Sequence, residues 1–251
     1  LPRILADASR HHEPVRLEAV SDIHAPYHTA DAIVAACKLA RLRKVVGILL
    51  NGDIADCFAV SRWETDPRKR NFKHEVETVR SLLLFIRSRF PDARIVYKWG
   101  NHEERYDAYQ QVKAPHTLGI DDYEFESVMR VRANGIETVK NMQPIKLGKL
   151  FVLHGHEYRF AIQNPVNPAR GLFLRSQVSA MCGHFHQTSQ HSEKNLAEHV
   201  TSTWSTGCMC DLHPEYMPLN KWNVGCAFVH VFRDGAFDVN NSRIVDGKVW
   251  A

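Results

Sequence analysis

The sequence lacks an apolar run long enough to cross a membrane. Its longest, at residues 45–50 and 82–86, fall far short of the ~18 residues a spanning helix requires. It also lacks paired CxxC spacing among its six cysteines (Cys37, Cys57, Cys182, Cys208, Cys210 and Cys226). A chain this large needs no disulfide staples, so a reducing, cytoplasmic location is expected. Low-complexity tracts, internal repeats and an evident linker are missing too, which excludes collagen-like, disordered and coiled-coil classes. No basic segment followed by an apolar core opens the chain; it begins at Leu1 rather than Met, so residues upstream can have been removed. The excess of one sign of charge over the other is small. The net charge of +4 favours anionic partners without demanding nucleic acid.

What is present is ordinary globular composition, 44% hydrophobic and 24% charged over 251 residues, which predicts one domain spanning 1–251. The outlier is 15 histidines. Residues 15–20 (VRLEAV), 45–50 (VVGILL) and 94–99 (RIVYKW) read as strands, and 31–43 and 74–90 as helices between them. This βαβαβ rhythm predicts parallel strands with covering helices. The polar segment 104–143, weakly helical at 123–131, reads as a cap or insertion over one end of the sheet. From Pro144 onward short strands are expected at 145–147, 150–153, 178–181, 199–204, 226–232 and 243–249, with hairpin chemistry at 147–149, 233–235 and 245–247. The predicted fold class is α/β, two facing mixed β-sheets flanked by helices in a four-layer α-β-β-α sandwich.

Five polar clusters share one placement, just past the carboxyl end of an apolar strand. They are Asp22-Ile23-His24, Gly52-Asp53, Gly100-Asn101-His102-Glu103, His154-Gly155-His156 and Gly183-His184-Phe185-His186. Loops at that end of layered α/β folds converge side chains from distant parts of the chain. Carboxylates mixed with imidazoles and one amide suit Mn, Fe, Zn or Ni better than Ca or Mg, and two metals are the natural reading.

The ordered set DIH, GD, GNHE, HGH and GHFH resembles the signature of the calcineurin-like metallophosphoesterases, over residues 22–186. The resemblance implies two divalent ions, Mn2+ first with Fe, Zn or Ni as alternatives. It implies Asp22, His24 and His186 on one ion, Asn101, His154 and His184 on the other, and Asp53 bridging them. His102 is then the catalytic residue that contacts the scissile phosphate and protonates or stabilises the leaving oxygen. The implied reaction is hydrolysis of a phosphate ester by a hydroxide bridging the metals. The expected substrate is a diester of nucleotide, nucleic-acid or related kind. The alternatives are a phosphomonoesterase on a small molecule or nucleotide end, a DNA-repair-type nuclease, and a non-catalytic metal-binding scaffold.

Outside these motifs, His28, His156 and Tyr27 are candidates for substrate contact. Residues 62–73 mix Arg62, Arg68, Lys69, Arg70 and Lys73 with Trp63 and Phe72, the composition of either a nucleic-acid contact or a solvated loop. Trp204, Tyr216 and Trp222 either shape the pocket or pack on a sheet edge. Sequence leaves the oligomeric state open.

Overall fold

The computed structural model describes residues 3–6, 14–63, 66–158 and 166–250. The first half alternates strand and helix: β1 (Arg3–Ala6), β2 (Val15–Val20), α1 (Ala30–Leu42), β3 (Gly47–Asn51), α2 (Phe72–Arg89), β4 (Arg94–Lys98) and α3 (Glu103–Lys113). Asn71 starts α2 by accepting the His74 amide hydrogen at 3.0 Å, and Pro91 follows its end. The rest runs α4 (Phe125–Val128), β5 (Glu137–Val139), β6 (Ile145–Leu147), β7 (Leu150–Leu153), α5 (Pro168–Ser176), β8 (Ala180–Cys182), β9 (Ser189–Lys194), β10 (Val200–Ser205), β11 (Gly225–Val231), β12 (Phe237–Val245) and β13 (Lys248–Trp250).

Among the described residues the strands form two mixed sheets, ordered β1-β6-β7-β8-β10-β9 and β13-β12-β11-β2-β3-β4-β5. Alternation along the strands decides the layers. In β2, Leu17 and Ala19 join the core between the sheets with Leu49, Val96, Val152, Met181 and Val229, whereas Val20 faces the helix side with Ile33, Leu83 and Ile86. Behind the other sheet, Leu172 of α5 packs on Leu153, Ala180 and Cys182. The result is the four-layer α-β-β-α sandwich expected from the sequence.

Several expectations are corrected locally. The strand expected at 243–249 is two strands, because Asp246 and Gly247 take left-handed φ (49° and 68°) and turn the chain back on itself. The second half is less antiparallel than expected, since β8 pairs parallel with both β7 and β10. Strand β9 was not legible because SQHSEK carries no apolar alternation; it is held by backbone pairing to β10. In segment 104–143, α3 and α4 cross from β4 to β5, which pairs parallel with β4, and Phe125, Met129 and Val131 are buried in the main core.

Candidate metal centre

All five motifs lie at the carboxyl ends of β2, β3, β4, β7 and β8, and the two sheets bring these ends together. The backbone there is forced. Asp22, His24, Asp53, His184 and His186 all take φ between 49° and 69°, a left-handed conformation costing of order 1–3 kcal/mol for a residue other than glycine. Such strain at five residues of one cluster is what a functional site shows when surrounding structure holds it. Close approach requires glycine at two points. A Cβ on Gly52 would lie 2.3 Å from His154 Nδ1, and one on Gly100 would lie 2.2 Å from Asp53 Oδ1.

The donor atoms face one another. His154 Nε2 is 3.2 Å from Asp53 Oδ2 and 4.0 Å from Asp22 Oδ1. His186 Nε2 is 3.3 Å from Asp22 Oδ1 and 3.3 Å from His24 Nε2, which is itself 4.0 Å from Asp53 Oδ2. Three imidazole nitrogens and two carboxylates at such spacing match donors that share cations at ~2 Å each. Asp53, His154 and His184 form one triad able to hold an ion. His24 falls in two more, with Asp53 and His102 and with His186 and Cys210. The donor set fits metal ions on a second count. Asp22 Oδ1, Asn101 Oδ1 and His154 Nε2 are buried without a hydrogen-bond partner, which is costly unless another group satisfies them.

Outer hydrogen bonds fix the imidazoles. His154 Nδ1–H donates to Asn51 O at 2.8 Å, and His24 Nδ1–H to Asp56 Oδ1 at 2.8 Å, so each turns Nε2 toward the centre. His102 Nδ1–H donates to Asp56 O at 2.9 Å, and its Nε2 accepts from Arg105 Nη2 at 2.7 Å. A carbonyl cannot donate and a guanidinium cannot accept, so His102 here is the neutral Nδ1–H tautomer. Glu103, the last residue of GNHE, is fully buried. It accepts the amide hydrogens of Asp53, Ile54, Ala55 and Gly100 and the Tyr97 hydroxyl, which locks the loop carrying Asp53. Glu157 does the same behind His154. It accepts from the His154 and Gly155 amides and pairs with the buried Lys98 ammonium at 2.9 Å.

The electrostatics follow from this crowding. Burial would raise Asp22 and Asp53, yet the imidazoles of His186 at one and of His154 at the other hold both well below the usual carboxylate range. Conversely, burial opposes charge on His154 and His186, but Asp53 and Asp22 respectively push them up to about 10. Burial, then the charge of His154, pushes His184 down to about 4, which suits a neutral ligand.

The structure thus gathers Asp22, His24, Asp53, His154, His184 and His186, with His102 beside them, its Nε2 3.7 Å from Asp53 Oδ2. Asn101, on the same loop as His102, has a buried Oδ1 without a hydrogen-bond partner. His156 lies behind His154, ring centroids 5.2 Å apart, and meets Glu104 at 3.2 Å. Tyr27 is half exposed at the rim. His28 is not brought in: it lines the groove between α1 and α2 with Ile33, Leu82 and Phe85. Three cations of the basic segment are paired with acids. Arg68 pairs with Asp66, Lys69 with Glu215 and Lys73 with Glu77, while Arg70 donates to the carbonyls of Ala59, Ser61 and Trp63. Sequence reasoning gave no role to Glu103, though it closes GNHE, and missed Asp56, Arg105 and Glu157. The signal for those three was proximity to the motifs, three residues after Asp53, three after His102 and one after His156.

The chain belongs to the calcineurin-like phosphoesterase family, whose sequence model matches residues 16–212. Among solved structures it is similar to Vacuolar Protein Sorting 29 from Cryptosporidium parvum, with 12% identity over 93% of this chain and 100% of that one and a TM-score of 0.43. A dimetal phosphatase from Danio rerio matches with 11% identity over 88% and 93% and a TM-score of 0.43. The phosphoesterase YfcE from E. coli matches with 12% identity over 90% and 99% and a TM-score of 0.40. No curated protein sequence matches the chain. No described helix is long and apolar enough to cross a membrane.

Proposed function

We propose that the protein is a two-metal phosphodiesterase that hydrolyses a nucleotide-like or related diester. The observation that carries this reading is the convergence of Asp22, His24, Asp53, His154, His184 and His186, with buried oxygen and nitrogen atoms left unpartnered among them. Asp22, His24, Asp53 and His186 would hold one divalent ion, and Asp53, Asn101, His154 and His184 the other. Bound there, two such ions neutralise phosphoryl charge and lower the pKa of water near the ester. The mixed carboxylate and imidazole set suits Mn, Fe, Zn or Ni, and the family resemblance puts manganese first. Six free thiols support a reducing compartment such as the cytoplasm.

The chain's own residues do the rest. Asp56 holds His102 at Nδ1, so Nε2 is the atom that takes up a proton from water once Arg105 has moved off it and passes that proton to the leaving oxygen. Arg105 caps that atom in the resting state. It turns to an anionic phosphoryl oxygen when one enters, which frees Nε2 and places a guanidinium on developing charge. The diester preference draws its support from the modest positive balance and from the aromatic rim of the centre.

Turnover of the Mn2+-loaded protein on bis-p-nitrophenyl phosphate beside p-nitrophenyl phosphate tests this. A diester preference is expected. A monoester preference would replace the reading with a phosphomonoesterase, and no turnover of either with metals bound would leave a scaffold. The ion pairs of Arg68, Lys69 and Lys73 weigh against the nuclease alternative, which needs these cations for a nucleic-acid backbone. Absence of salt-sensitive binding to single-stranded DNA is the matching result.

A further inference from the structure

The segment 208–224 supplies no residue to the ion sites proposed above, yet it is stitched to both sides of the centre. At one end, Met209 N donates to Asp22 O (3.0 Å), Thr29 N to Met209 O (2.8 Å) and Asp211 N to Tyr27 O (2.9 Å). At the other, Asn223 N donates to His186 O (2.9 Å) and Cys208 N to Asn223 O (3.0 Å). Inside the loop, Asn220 Nδ2 donates to Leu212 O and Met217 O, and Asn220 Oδ1 accepts from Trp222 N. Lys69 ties it to the neighbouring segment through Glu215. The loop is therefore pre-organised rather than a loose connection.

It presents two aromatic rings to the mouth of the site. Trp222 lies against the proposed ligand His186, ring centroids 4.1 Å apart at 55°. Tyr216 stands edge-on to Trp222 at 6.3 Å and 62° and is 74% exposed. The pair thus extends outward from the His186 ring, Trp222 inside and Tyr216 at the solvent edge. Trp204, by contrast, is buried against Phe237 in the sheet core. A half-buried Trp222 beside an exposed Tyr216, both held rigidly next to a phosphoester site, has the chemistry of a stacking surface.

We propose that Trp222 and Tyr216 form a subsite that stacks a planar aromatic group carried by the reacting phosphate ester, with a nucleobase joined through its sugar as the fitting class. This rests on the phosphodiesterase reading of the centre. A ring on the Trp222 face turned from His186 lies two ring spacings from that imidazole, each ~4.5–7 Å, so a spacer must separate ring and phosphate. A pentose supplies one, whereas an aryl group bonded directly to phosphate does not.

The test compares thymidine 5′-(4-nitrophenyl phosphate) with methyl 4-nitrophenyl phosphate on the Mn2+-loaded protein, two diesters with one leaving group. The expected kcat/KM ratio is about tenfold or more in favour of the nucleoside ester, carried by KM. Trp222→Ala and Tyr216→Ala should bring the ratio to within about twofold of one, and Trp222→Ala/Tyr216→Ala should abolish it, while Trp222→Phe retains most of it. The ratio cancels any metal lost with Trp222, because both probes use the same centre. Independently of turnover, thymidine 5′-monophosphate should quench tryptophan emission, and Trp222→Phe should remove that quenching. Equal kcat/KM on the two probes, or a ratio unmoved by both alanine variants, overturns the subsite and leaves the phosphodiesterase standing. Turnover of neither probe overturns the enzymatic reading, and the quenching then decides the subsite alone: Trp222-dependent quenching supports it, and no quenching overturns it.

Discussion

Glu18 offers a stability prediction that is independent of the metal centre. It sits on β2, where alternation turns it to the helix side of the sheet, into a water-sized space of about 10 Å³ lined by Val20, Ile33, Cys37, Leu50 and Phe90. Its Oε1 has no hydrogen-bond partner, and the nearest cation, Arg43, is engaged with Asn240 Oδ1 and the Phe228 ring. Burial, only partly opposed by Arg43, raises the carboxyl from 4.5 to about 8. Between those values the folded chain keeps a proton that the unfolded chain loses, so stability falls as pH rises. The loss is about 1.4 kcal/mol per pH unit, which amounts to about 3 kcal/mol by pH 7. Glu18→Gln titrates in neither state. Its amide can cost about 1–3 kcal/mol for an unmet N–H, but that offset is the same at every pH. The assay is thermal unfolding of both proteins in EDTA from pH 4.5 to 9, where the contributions of Asp22 and Asp53 cancel in the difference. The Tm of the variant should gain on the parent by about 6–12 °C between pH 4.5 and 7, then level off above pH 8. Parallel Tm profiles would refute the reasoning.

Three further outcomes are expected. Asp53→Asn should lose metal content and activity together, because the residue that faces both halves of the site loses its charge; retention of two ions per chain by elemental analysis would count against it as the bridge. His102→Ala should keep its metal while turnover falls about 10²–10⁴-fold; metal loss equal to that of Asp53→Asn would make His102 a ligand, a role its place beside His24 and Asp53 also permits. Lys98→Met should destabilise the fold by about 3–5 kcal/mol in denaturant unfolding, since Lys98 is fully buried and its removal leaves the Glu157 carboxylate unpaired; a change under ~1 kcal/mol would show that Glu157 finds compensation elsewhere.

Strands that bury both faces or one were plain in the sequence, because the apolar side chains of VRLEAV and of Ile48-Leu49-Leu50 must be hidden whatever surrounds them. Strand β9 was not, since its exposed polar side chains carry no pattern and its place is decided by pairing with β10. The separation of β12 from β13 depends on two left-handed residues, which composition only hints at.

The candidate site divides along the same line. Its donor types and their position after strands are local properties of the chain, so sequence alone determined Asp22, His24, Asp53, His154, His184 and His186 as candidates and the family to which they belong. Asp56, Arg105 and Glu103 owe their roles to contacts across loops: Asp56 reaches His24 32 residues away, and Glu103 gathers amides about 50 residues away. His28 and Trp222 make the point in opposite directions. His28 lies four residues from His24 yet faces the groove between two helices, whereas Trp222, far along the chain, lies on His186. Sequence spacing sets which atoms a segment can offer. Only the packing of two sheets and the hydrogen bonds that pin their loops decide which of those atoms meet, because the left-handed backbone and buried charge of the centre are tolerable only where the surrounding fold holds them.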